Sequence, residues 1–435
     1  MNPERKIYLD MVGCRLNQSE LERIGGQIRQ AGHNLVGEMA EADVAIINTC
    51  AVTAKASSDS RQMARNAFRQ GVGQIILTGC WASLNRKSAA SIPGVTKVIP
   101  NDQKDQLARL VLEIPEPEFA LKNPERHPLP GTRRRTRAFI KIQDGCDKHC
   151  TFCVTTIARG SAHSDPIPEV LADIQAAVAG GAKEVILTGV SLGAWGSDFN
   201  EKSSLEQLIR SILHHTDIPR LRLSSLEPWG ISESFLDLWQ DTRLCQYLHL
   251  PLQSGSSSVL KRMARATNPQ SYRFLIKQIR QRYPQIAITT DIMVGFPGET
   301  ELEFEQSQAF VCEMAFSGGH IFTYSERPGT TAPRLPGAIS NSTRRERSRR
   351  IRSVLDASSR NYQSRFLGQD VSVLWESNSV KDAQGLFLSG WSSENLRIHS
   401  QGASDWRNQI QQVRLTKHLD DGTLEGMVVP PTSKA

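Results

Sequence analysis

Short apolar runs, separated by stretches of helical length, organise residues 1–115. The runs are rich in β-branched residues, which is typical of buried parallel strands, and they cover residues 7–12, 44–47 and 75–77. Residues 18–32 and 56–70 between them have helical length and mixed polarity. This alternation predicts an open, parallel α/β sheet at the N-terminal end of the chain.

A second α/β region follows a segment that is rich in proline. We interpret residues 116–137, with the basic run Arg133, Arg134 and Arg135, as a linker. Residues 138–366 then return to the alternating pattern. Candidate strands are 138–143, 183–188, 220–225, 246–250, 286–294 and 319–324. Candidate helices are 166–180, 204–216, 232–241, 269–283, 300–314 and a basic helix at 343–365. Six parallel strands with intervening helices predict a partial (β/α)6 barrel.

The last region, residues 367–435, has short alternating runs that are broken by polar turns. These runs are 371–375, 385–388, 395–398 and 412–415. The pattern predicts a small β-barrel of about five strands.

Composition narrows the class of protein. The chain has 435 residues, of which 39% are hydrophobic and 22% charged, as in soluble proteins with several domains. No run of about 18 apolar residues is present, and residues 1–6 do not enter a long apolar segment. We therefore expect a cytoplasmic protein. The net charge of +7 suits a polyanionic partner but is equally common in mildly basic proteins.

Three of the eight cysteines lie within eight residues of one another. Cys146, Cys150 and Cys153 have the spacing Cys-x3-Cys-x2-Cys directly after a predicted strand. Three thiolates on a tight loop suit a cubane iron–sulfur cluster and leave one iron open. An open iron could chelate the amino and carboxylate groups of S-adenosylmethionine, whose reductive cleavage makes a deoxyadenosyl radical.

Two other interpretations of this triplet remain open. Zinc could be bound by the three cysteines and His149, although His149 adjoins Cys150 and its side chain would then point away from the same metal. Alternatively, the cysteines could be unligated and buried, which is improbable for three so close together.

The triplet and the preceding segment, residues 137–146, resemble those of the radical S-adenosylmethionine methylthiotransferases. The resemblance extends over the N-terminal domain, the barrel and a C-terminal module that looks like an RNA-binding TRAM domain. It implies an enzyme with two [4Fe-4S] clusters and S-adenosylmethionine as cofactors. It also implies an external one-electron donor, such as a flavodoxin or a ferredoxin.

A second set of cysteines is spread over the first 80 residues. Cys14, Cys50 and Cys80 each follow a predicted strand, and the carboxyl ends of parallel strands share one edge of a sheet. A single such cysteine is usually a small core residue, as we expect for Cys245 and Cys312. The family resemblance implies that the set of three holds the auxiliary cluster.

The predicted barrel strands end in glycines and small polar residues, where barrel enzymes build their sites. Taken alone, each of these strand-end stretches has the composition of an ordinary loop. Together they resemble the cofactor cleft of the family, which implies S-adenosylmethionine contacts at Thr188, Gly189, Glu227, Gln253, Ser254 and Gly298. The chain departs from the family pattern at Thr155, Thr156 and His163, where a proline–aromatic pair and a second arginine are common.

Residues 13–20 help to discriminate between the substrates of the family's branches. Arg15 after Cys14, and the pair Asn17 and Gln18, resemble the branch of the family that acts on threonylcarbamoyladenosine in tRNA. The resemblance implies sulfur insertion at C2 of that base, next to the anticodon, followed by S-methylation. The alternatives are isopentenyladenosine in tRNA, a ribosomal protein, and a tRNA-binding iron–sulfur protein without catalysis.

Basic and aromatic residues fit binding to the anticodon stem-loop of tRNA. The predicted basic helix contains arginines that could attract phosphates, namely Arg344, Arg345, Arg347, Arg349, Arg350 and Arg352. They could equally form a solvated face paired with carboxylates. In the C-terminal module, stacking and charge are expected from Trp391, Arg397, Trp406 and Arg407, whereas Trp375 and Phe387 are expected in the core.

Overall fold

A computed structural model describes residues 4–114, 136–382, 385–402 and 406–430. The described residues form two compact units, one within residues 1–148 and 154–217 and the other within residues 149–153 and 218–435. Residues 116–135, which make up most of the predicted linker, lie outside the described residues. The domain boundaries given above remain predictions.

The first unit begins with a five-stranded parallel sheet in the order β2-β1-β3-β4-β5. Its strands are β1 (Lys6–Met11), β2 (Asn34–Val36), β3 (Val44–Thr49), β4 (Gln74–Gly79) and β5 (Val95–Val98). Its helices are α1 (Arg15–Gln30), α2 (Ala54–Arg69), α3 (Cys80–Leu84), α4 (Arg86–Ala90) and α5 (Leu107–Leu112). Every residue of β3 is buried, as in a parallel strand that is covered on both faces. The predicted open α/β sheet is confirmed.

Helix α1 also supports the next strands of the same unit. These are β6 (Arg137–Lys141) and β9 (Glu184–Thr188), which pair in parallel. The Ser19 hydroxyl accepts a hydrogen bond from the backbone N–H of Lys141 at 2.8 Å, and the Glu22 carboxylate accepts one from Phe139 N at 3.3 Å. Most of α1 is therefore buried, and its polar side chains serve as internal hydrogen-bond partners.

The rest of the first unit consists of short elements around β6 and β9. They are β7 (Gln143–Asp144), β8 (His163–Ser164), α6 (Thr155–Arg159), α7 (Ile167–Ala179) and α8 (Leu205–His215). Ser204 begins α8 with a capping box, since its hydroxyl accepts from Gln207 N and the Gln207 side chain accepts from Ser204 N.

The second unit contributes four further strands of the β/α pattern. They are β10 (Arg220–Leu223), β11 (Tyr247–His249), β12 (Ala287–Val294) and β13 (Gly318–Thr323). Strands β11, β12 and β13 pair in parallel, and the segment after β10 bridges to β11 in parallel at Ser225 and His249. The helices are α9 (Glu233–Leu236), α10 (Ser257–Arg262), α11 (Pro269–Arg282), α12 (Glu301–Met314) and α13 (Asn341–Ser364). All six predicted barrel strands are present.

A closed five-stranded barrel completes the described chain, in the order β14-β15-β16-β18-β17. Its strands are β14 (Asp370–Asp382), β15 (Gly385–Ser392), β16 (Arg397–Gln401), β17 (Ile410–His418) and β18 (Leu424–Val428). The predicted TRAM-like module is confirmed. Trp375 is fully buried in its core, as expected, whereas Phe387 is only half-buried.

Two predictions about the RNA-binding aromatics and arginines need correction. Trp406 stacks on Trp375 with ring centroids 6.4 Å apart, so it belongs to the packing of the barrel and is not a free platform. In α13, Arg347 is buried and pairs with Glu299, and Arg350 pairs with Glu301. The basic helix is therefore divided into an inward, paired face and an outward face that exposes Arg345, Arg349 and Arg352. Among the described residues, no helix is long and apolar enough to span a membrane.

Candidate functional site

The first cysteine set lies at one edge of the N-terminal sheet. Cys14 follows β1 and precedes α1, Cys50 follows β3, and Cys80 begins α3 directly after β4. Strands β1, β3 and β4 are neighbours, and Thr49 pairs with Gly79 in register. Cys50 and Cys80 are buried and Cys14 is exposed. The three loops therefore meet at the carboxyl edge, where open α/β sheets bind ligands.

Two glycines allow these loops to approach each other. Gly13 has φ +117°, and a Cβ on it would lie 2.6 Å from Cβ and 2.7 Å from Sγ of Cys50. Gly79 has φ +94°, and a Cβ on it would lie 2.2 Å from the carbonyl oxygen of Thr49. Side chains at either position would push the cysteine loops apart.

Replacing Gly79 with alanine is expected to destabilise the protein by about 3 kcal/mol and to lower the iron content of the reconstituted protein. Gly71→Ala is the matched control, because Gly71 also has a left-handed φ of +82° but has nothing within 4 Å of a new Cβ. That control should cost only about 1 kcal/mol. Thermal unfolding and iron analysis test the pair, and equal effects of both changes would contradict the steric account.

Asn17 joins the loops of the first set through its side chain. Its amide nitrogen donates to the carbonyl oxygens of Val12 at 2.9 Å and Thr49 at 3.3 Å, and its amide oxygen lies 3.7 Å from Cys14 Sγ. Burial raises the pKa of Cys50 to about 11. A metal that binds this thiol must therefore displace its proton, as thiolate ligation requires.

A buried ionic network lies behind this edge. The Glu20 carboxylate accepts hydrogen bonds from Lys104 Nζ at 2.7 Å and Arg159 Nη1 at 3.0 Å. The exposed fractions of these side chains are 3% for Glu20, 5% for Lys104 and 3% for Arg159. Burial alone would raise the pKa of Glu20, but the charges of Arg159 and Lys104 outweigh it and lower that pKa. The carboxylate therefore stays ionised inside the protein.

Glu20→Gln is expected to lower stability by about 3 kcal/mol at pH 7, because it removes the buried carboxylate that Lys104 and Arg159 share, and only Arg159 keeps another, that of Asp144. A lowered pKa contributes stability above the unfolded value of about 4.3, and this contribution is lost as the pH falls through the folded pKa. The difference in Tm between the variant and the wild type should therefore be full at pH 7 and shrink below about pH 4. Asp59→Asn, which removes an exposed pair with Lys55, is the control and should cost less than about 1 kcal/mol. A pH-independent difference for Glu20→Gln would contradict this account.

The second set, Cys146, Cys150 and Cys153, lies in the loop after β7, and all three residues are partly exposed. In the first unit, Cys146 N donates to the carbonyl oxygen of Gly160 at 3.1 Å. In the second unit, Cys153 N donates to the carbonyl oxygen of Cys150 at 3.0 Å, and Thr151 N donates to that of Met263 at 3.1 Å. The backbone of each portion of the loop is thus held in place while the thiols remain accessible.

Nowhere in the described ranges do three His, Cys, Asp or Glu side chains adopt an arrangement that could hold one metal ion.

Two predicted cofactor contacts, Thr188 and Gly189, end β9 in the first unit. Thr188 is buried, and its carbonyl oxygen accepts from Ile142 N at 3.0 Å. A Cβ on Gly189 would lie 3.0 Å from Oε1 of Gln143. The Gln143 amide donates to the carbonyl oxygens of Asp144 and Gly145 and accepts from Ser191 N at 2.8 Å. Gln143 was not predicted from the sequence. The feature that marks it is structural, since its buried amide lies between a strand and the cysteine loop.

The other four predicted contacts lie in the second unit and differ in accessibility. Glu227 and Gln253 are half-buried, and Gln253 has φ +74° and pairs with β12 through its backbone. Ser254 is fully buried, with its hydroxyl 3.4 Å from that of Ser307. Gly298 N donates to the carbonyl oxygen of Gly337 at 2.7 Å. Ser254 and Gly298 thus take part in internal packing, and the side chains of Glu227 and Gln253 are the more accessible.

The strand-end pattern did not reveal a polar group on the strands themselves. His249 Nε2 lies 3.2 Å from Asp291 Oδ2, and His249 Nδ1 lies 2.8 Å from Thr289 Oγ1. Asp291 is opposite His320 on the neighbouring strand, so these side chains share one face of β11–β13. Their spacing along single strands carries no pattern that sequence alone could detect.

The remaining cysteines differ from each other. Cys245 is buried, as expected. Cys312 is exposed on α12, so its assignment to the core was wrong. The apolar neighbours of Cys312 in the sequence belong to the buried side of the helix, including Phe310 and Val311.

Comparison with known proteins gives the family. Residues 6–99 match the family described as uncharacterized protein family UPF0004, and residues 140–311 match the radical SAM superfamily. The threonylcarbamoyladenosine tRNA methylthiotransferase MtaB of Bacillus subtilis is 31% identical over 422 residues, which cover 94% of each chain. The same-named protein of Thermotoga maritima is 33% identical and covers 97% of this chain and 96% of its own. The chain belongs to the radical S-adenosylmethionine methylthiotransferase family.

The methylthiotransferase family also includes relatives with a different named product. The tRNA-2-methylthio-N(6)-dimethylallyladenosine synthase of Halorhodospira halophila is 30% identical and covers 99% of this chain and 94% of its own. Among solved structures, the radical S-adenosylmethionine methyltransferase TsrM of Kitasatospora setae has a TM-score of 0.57 at 15% identity, covering 76% of this chain and 77% of that one. TsrM supports the fold alone. Membership confirms the predicted enzyme class and its cofactors, two [4Fe-4S] clusters and S-adenosylmethionine.

Proposed function

We propose that this methylthiotransferase acts on threonylcarbamoyladenosine next to the anticodon of tRNA, placing sulfur at C2 of the base and then methylating it. The similarity to proteins named for this substrate, at 31% to 34% identity over most of the chain, carries the proposal. Overall identity separates these proteins only narrowly from the dimethylallyladenosine synthases, at 28% to 31%. Arg15 and Asn17 of the N-terminal motif therefore add weight.

In this proposal, each cysteine set holds one cluster. Cys146, Cys150 and Cys153 would hold the catalytic cluster, and Cys14, Cys50 and Cys80 the auxiliary one. When bound, the catalytic cluster supplies the electron that cleaves S-adenosylmethionine and so provides a radical for removal of hydrogen from carbon. Asn17 and Gly13 keep the loops of Cys14 and Cys50 together, which sets the ligand spacing of the auxiliary site.

The cofactor would be held by groups at the ends of the barrel strands. Glu227 and Gln253 are accessible enough to bind the amine and the ribose hydroxyls of S-adenosylmethionine. Gly189 is half-buried with Gln143 against it, and Thr188 lies at the end of β9. Ser254 and Gly298 stay predicted contacts, Ser254 from a fully buried position and Gly298 from a half-buried one.

Exposed arginines supply a surface for the phosphates of tRNA. Arg345, Arg349 and Arg352 lie three and four residues apart, which places them on one exposed face of α13. On the C-terminal barrel, Arg407 is exposed, whereas Arg397 is half-buried, pairs with Glu376 and lies 5.2 Å above the ring of Trp391. The target base must leave its stack to react, as bases do in other enzymes that modify them. The proposed setting is the cytoplasm, with a flavodoxin or ferredoxin as electron donor.

Nucleoside analysis of tRNA from a strain that lacks this gene tests the substrate. Methylthio-threonylcarbamoyladenosine should disappear, and the wild-type gene, but not one carrying Cys50→Ala, should restore it. Methylthio-isopentenyladenosine should be unchanged. Loss of the latter nucleoside instead, or loss of a methylthio group from a ribosomal protein with tRNA unchanged, would overturn the assignment.

A further inference from the structure

Arg159 contacts the first cysteine set from the end of α6. Its Nε donates to Cys80 Sγ at 3.2 Å, and its Nη2 donates to the amide oxygen of Asn17 at 3.1 Å. Asn17 in turn binds the loops that carry Cys14 and Cys50. One buried guanidinium is therefore bonded to one cysteine of the set and to the amide that joins the loops of the other two.

The same guanidinium also binds the segment that leads to the second cysteine set. Its Nη1 donates to Asp144 at 2.9 Å and 2.8 Å, and the Asp144 carboxylate accepts from Gly145 N at 2.8 Å. The neighbouring residue Gly160 accepts from Cys146 N at 3.1 Å. A Cβ on Gly145 would lie 1.8 Å from the carbonyl oxygen of Ser161, so this segment packs tightly against the turn after α6.

The charge of Arg159 is fixed in this position. A guanidinium stays protonated in proteins, and this one pairs with the carboxylates of Glu20 and Asp144 while only 3% of its side chain is exposed. Water screens such a buried charge weakly. Hydrogen bonds to ligand sulfur and nearby positive charge both stabilise the reduced form of an iron–sulfur cluster and so raise its reduction potential.

We propose that Arg159 is a positioning residue that raises the reduction potential of the cluster at Cys14, Cys50 and Cys80 and ties that site to the loop of Cys146. This inference rests on the proposed auxiliary cluster. It assigns to Arg159 a function beyond that of a structural ion pair, because the Nε contact is to a ligand sulfur and not to a carboxylate.

The test is a redox titration, followed by electron paramagnetic resonance, of the reconstituted full-length protein. The variants are Arg159→Met, Arg159→Gln and Arg159→Lys, with Arg65→Met as the control because it removes the same charge from an exposed position on α2. The auxiliary signal is assigned beforehand in a protein with Cys146, Cys150 and Cys153 replaced by alanine. Each sample's catalytic cluster serves as an internal reference.

Arg159→Met and Arg159→Gln should make the potential of the auxiliary cluster more negative. At the wild-type midpoint, its ratio of reduced to oxidised form should fall at least about tenfold, which corresponds to 59 mV for one electron. The catalytic cluster should shift less, Arg159→Lys should return the potential toward the wild-type value, and Arg65→Met should leave both clusters unchanged.

An unshifted auxiliary potential, or equal shifts of both clusters, would overturn the inference. If Arg159→Met does not hold its auxiliary cluster, Arg159→Gln decides by the same criteria, since it keeps hydrogen-bonding capacity without the charge. The wild-type iron content separates the two claims. About four irons per chain would refute the auxiliary cluster itself, whereas about eight irons with an unshifted potential would refute only the inference about Arg159.

Discussion

Replacing Cys14, Cys50 and Cys80 together with alanine will remove about four of about eight irons per chain. The variant will still cleave S-adenosylmethionine to deoxyadenosine, because the triplet that serves the radical step is intact. It will make no methylthiolated nucleoside, since the family resemblance implies that the auxiliary cluster carries the sulfur to be inserted. Iron analysis, deoxyadenosine formation and nucleoside analysis of the product tRNA measure the three outcomes.

Cys312→Ala is the matched control for this change. Cys312 is exposed on α12, outside both sets, so its replacement should leave about eight irons and both activities. If the triple variant kept all its iron, or if it still methylthiolated tRNA, the assignment of the three strand-end cysteines would be wrong.

The opposite pattern is expected for Cys150→Ala. This change removes one ligand of the triplet, and deoxyadenosine formation should fall to the level of a sample without enzyme. The auxiliary cluster should remain, so the iron content should not fall below about four per chain. Anaerobic turnover with dithionite measures the first outcome and iron analysis the second. Substantial deoxyadenosine formation by Cys150→Ala would place the radical chemistry elsewhere.

Arg265 is relevant to this variant, because its Nη1 lies 3.9 Å from Cys150 Sγ. It also donates to the carbonyl oxygen of Pro251 at 2.9 Å and stacks over Trp229 at 4.8 Å. Alanine at Cys150 removes the sulfur and leaves these other contacts of Arg265 available, so the loss of activity should reflect the missing ligand and not a displaced arginine.

Strands and helices were predictable here because burial imposes a strong pattern on them. Strand β3 is buried at every position. Local capping residues add a second pattern, since Asn268 caps α11 with a capping box and Pro269 is the first residue of that helix. Strand β18 was not identified, because Leu424–Val428 contains a glycine and a glutamate and resembles a polar turn. A short strand that is held in position by the closure of a barrel has little sequence pattern of its own.

The cysteines of the candidate site were predictable for the same reason, since each set follows apolar strands. Their supporting residues were not. Arg159 and Cys80 are 79 residues apart, and Glu20 and Lys104 are 84 apart. Such pairs depend on the packing of α1 and α6 around the sheet edge, which no local spacing encodes. The arginines of α13 show the converse, since a uniform basic run divides into paired and exposed residues only once the helix is packed.

The most direct test of the central claim is a single anaerobic reaction. The reconstituted protein is mixed with S-adenosylmethionine, a reductant, sulfide as the source of sulfur and either of two tRNAs, one carrying threonylcarbamoyladenosine and the other isopentenyladenosine. We expect deoxyadenosine together with methylthio-threonylcarbamoyladenosine from the first tRNA and no methylthiolated product from the second. Deoxyadenosine without any methylthiolated nucleoside, or a product from the second tRNA alone, would contradict this expectation.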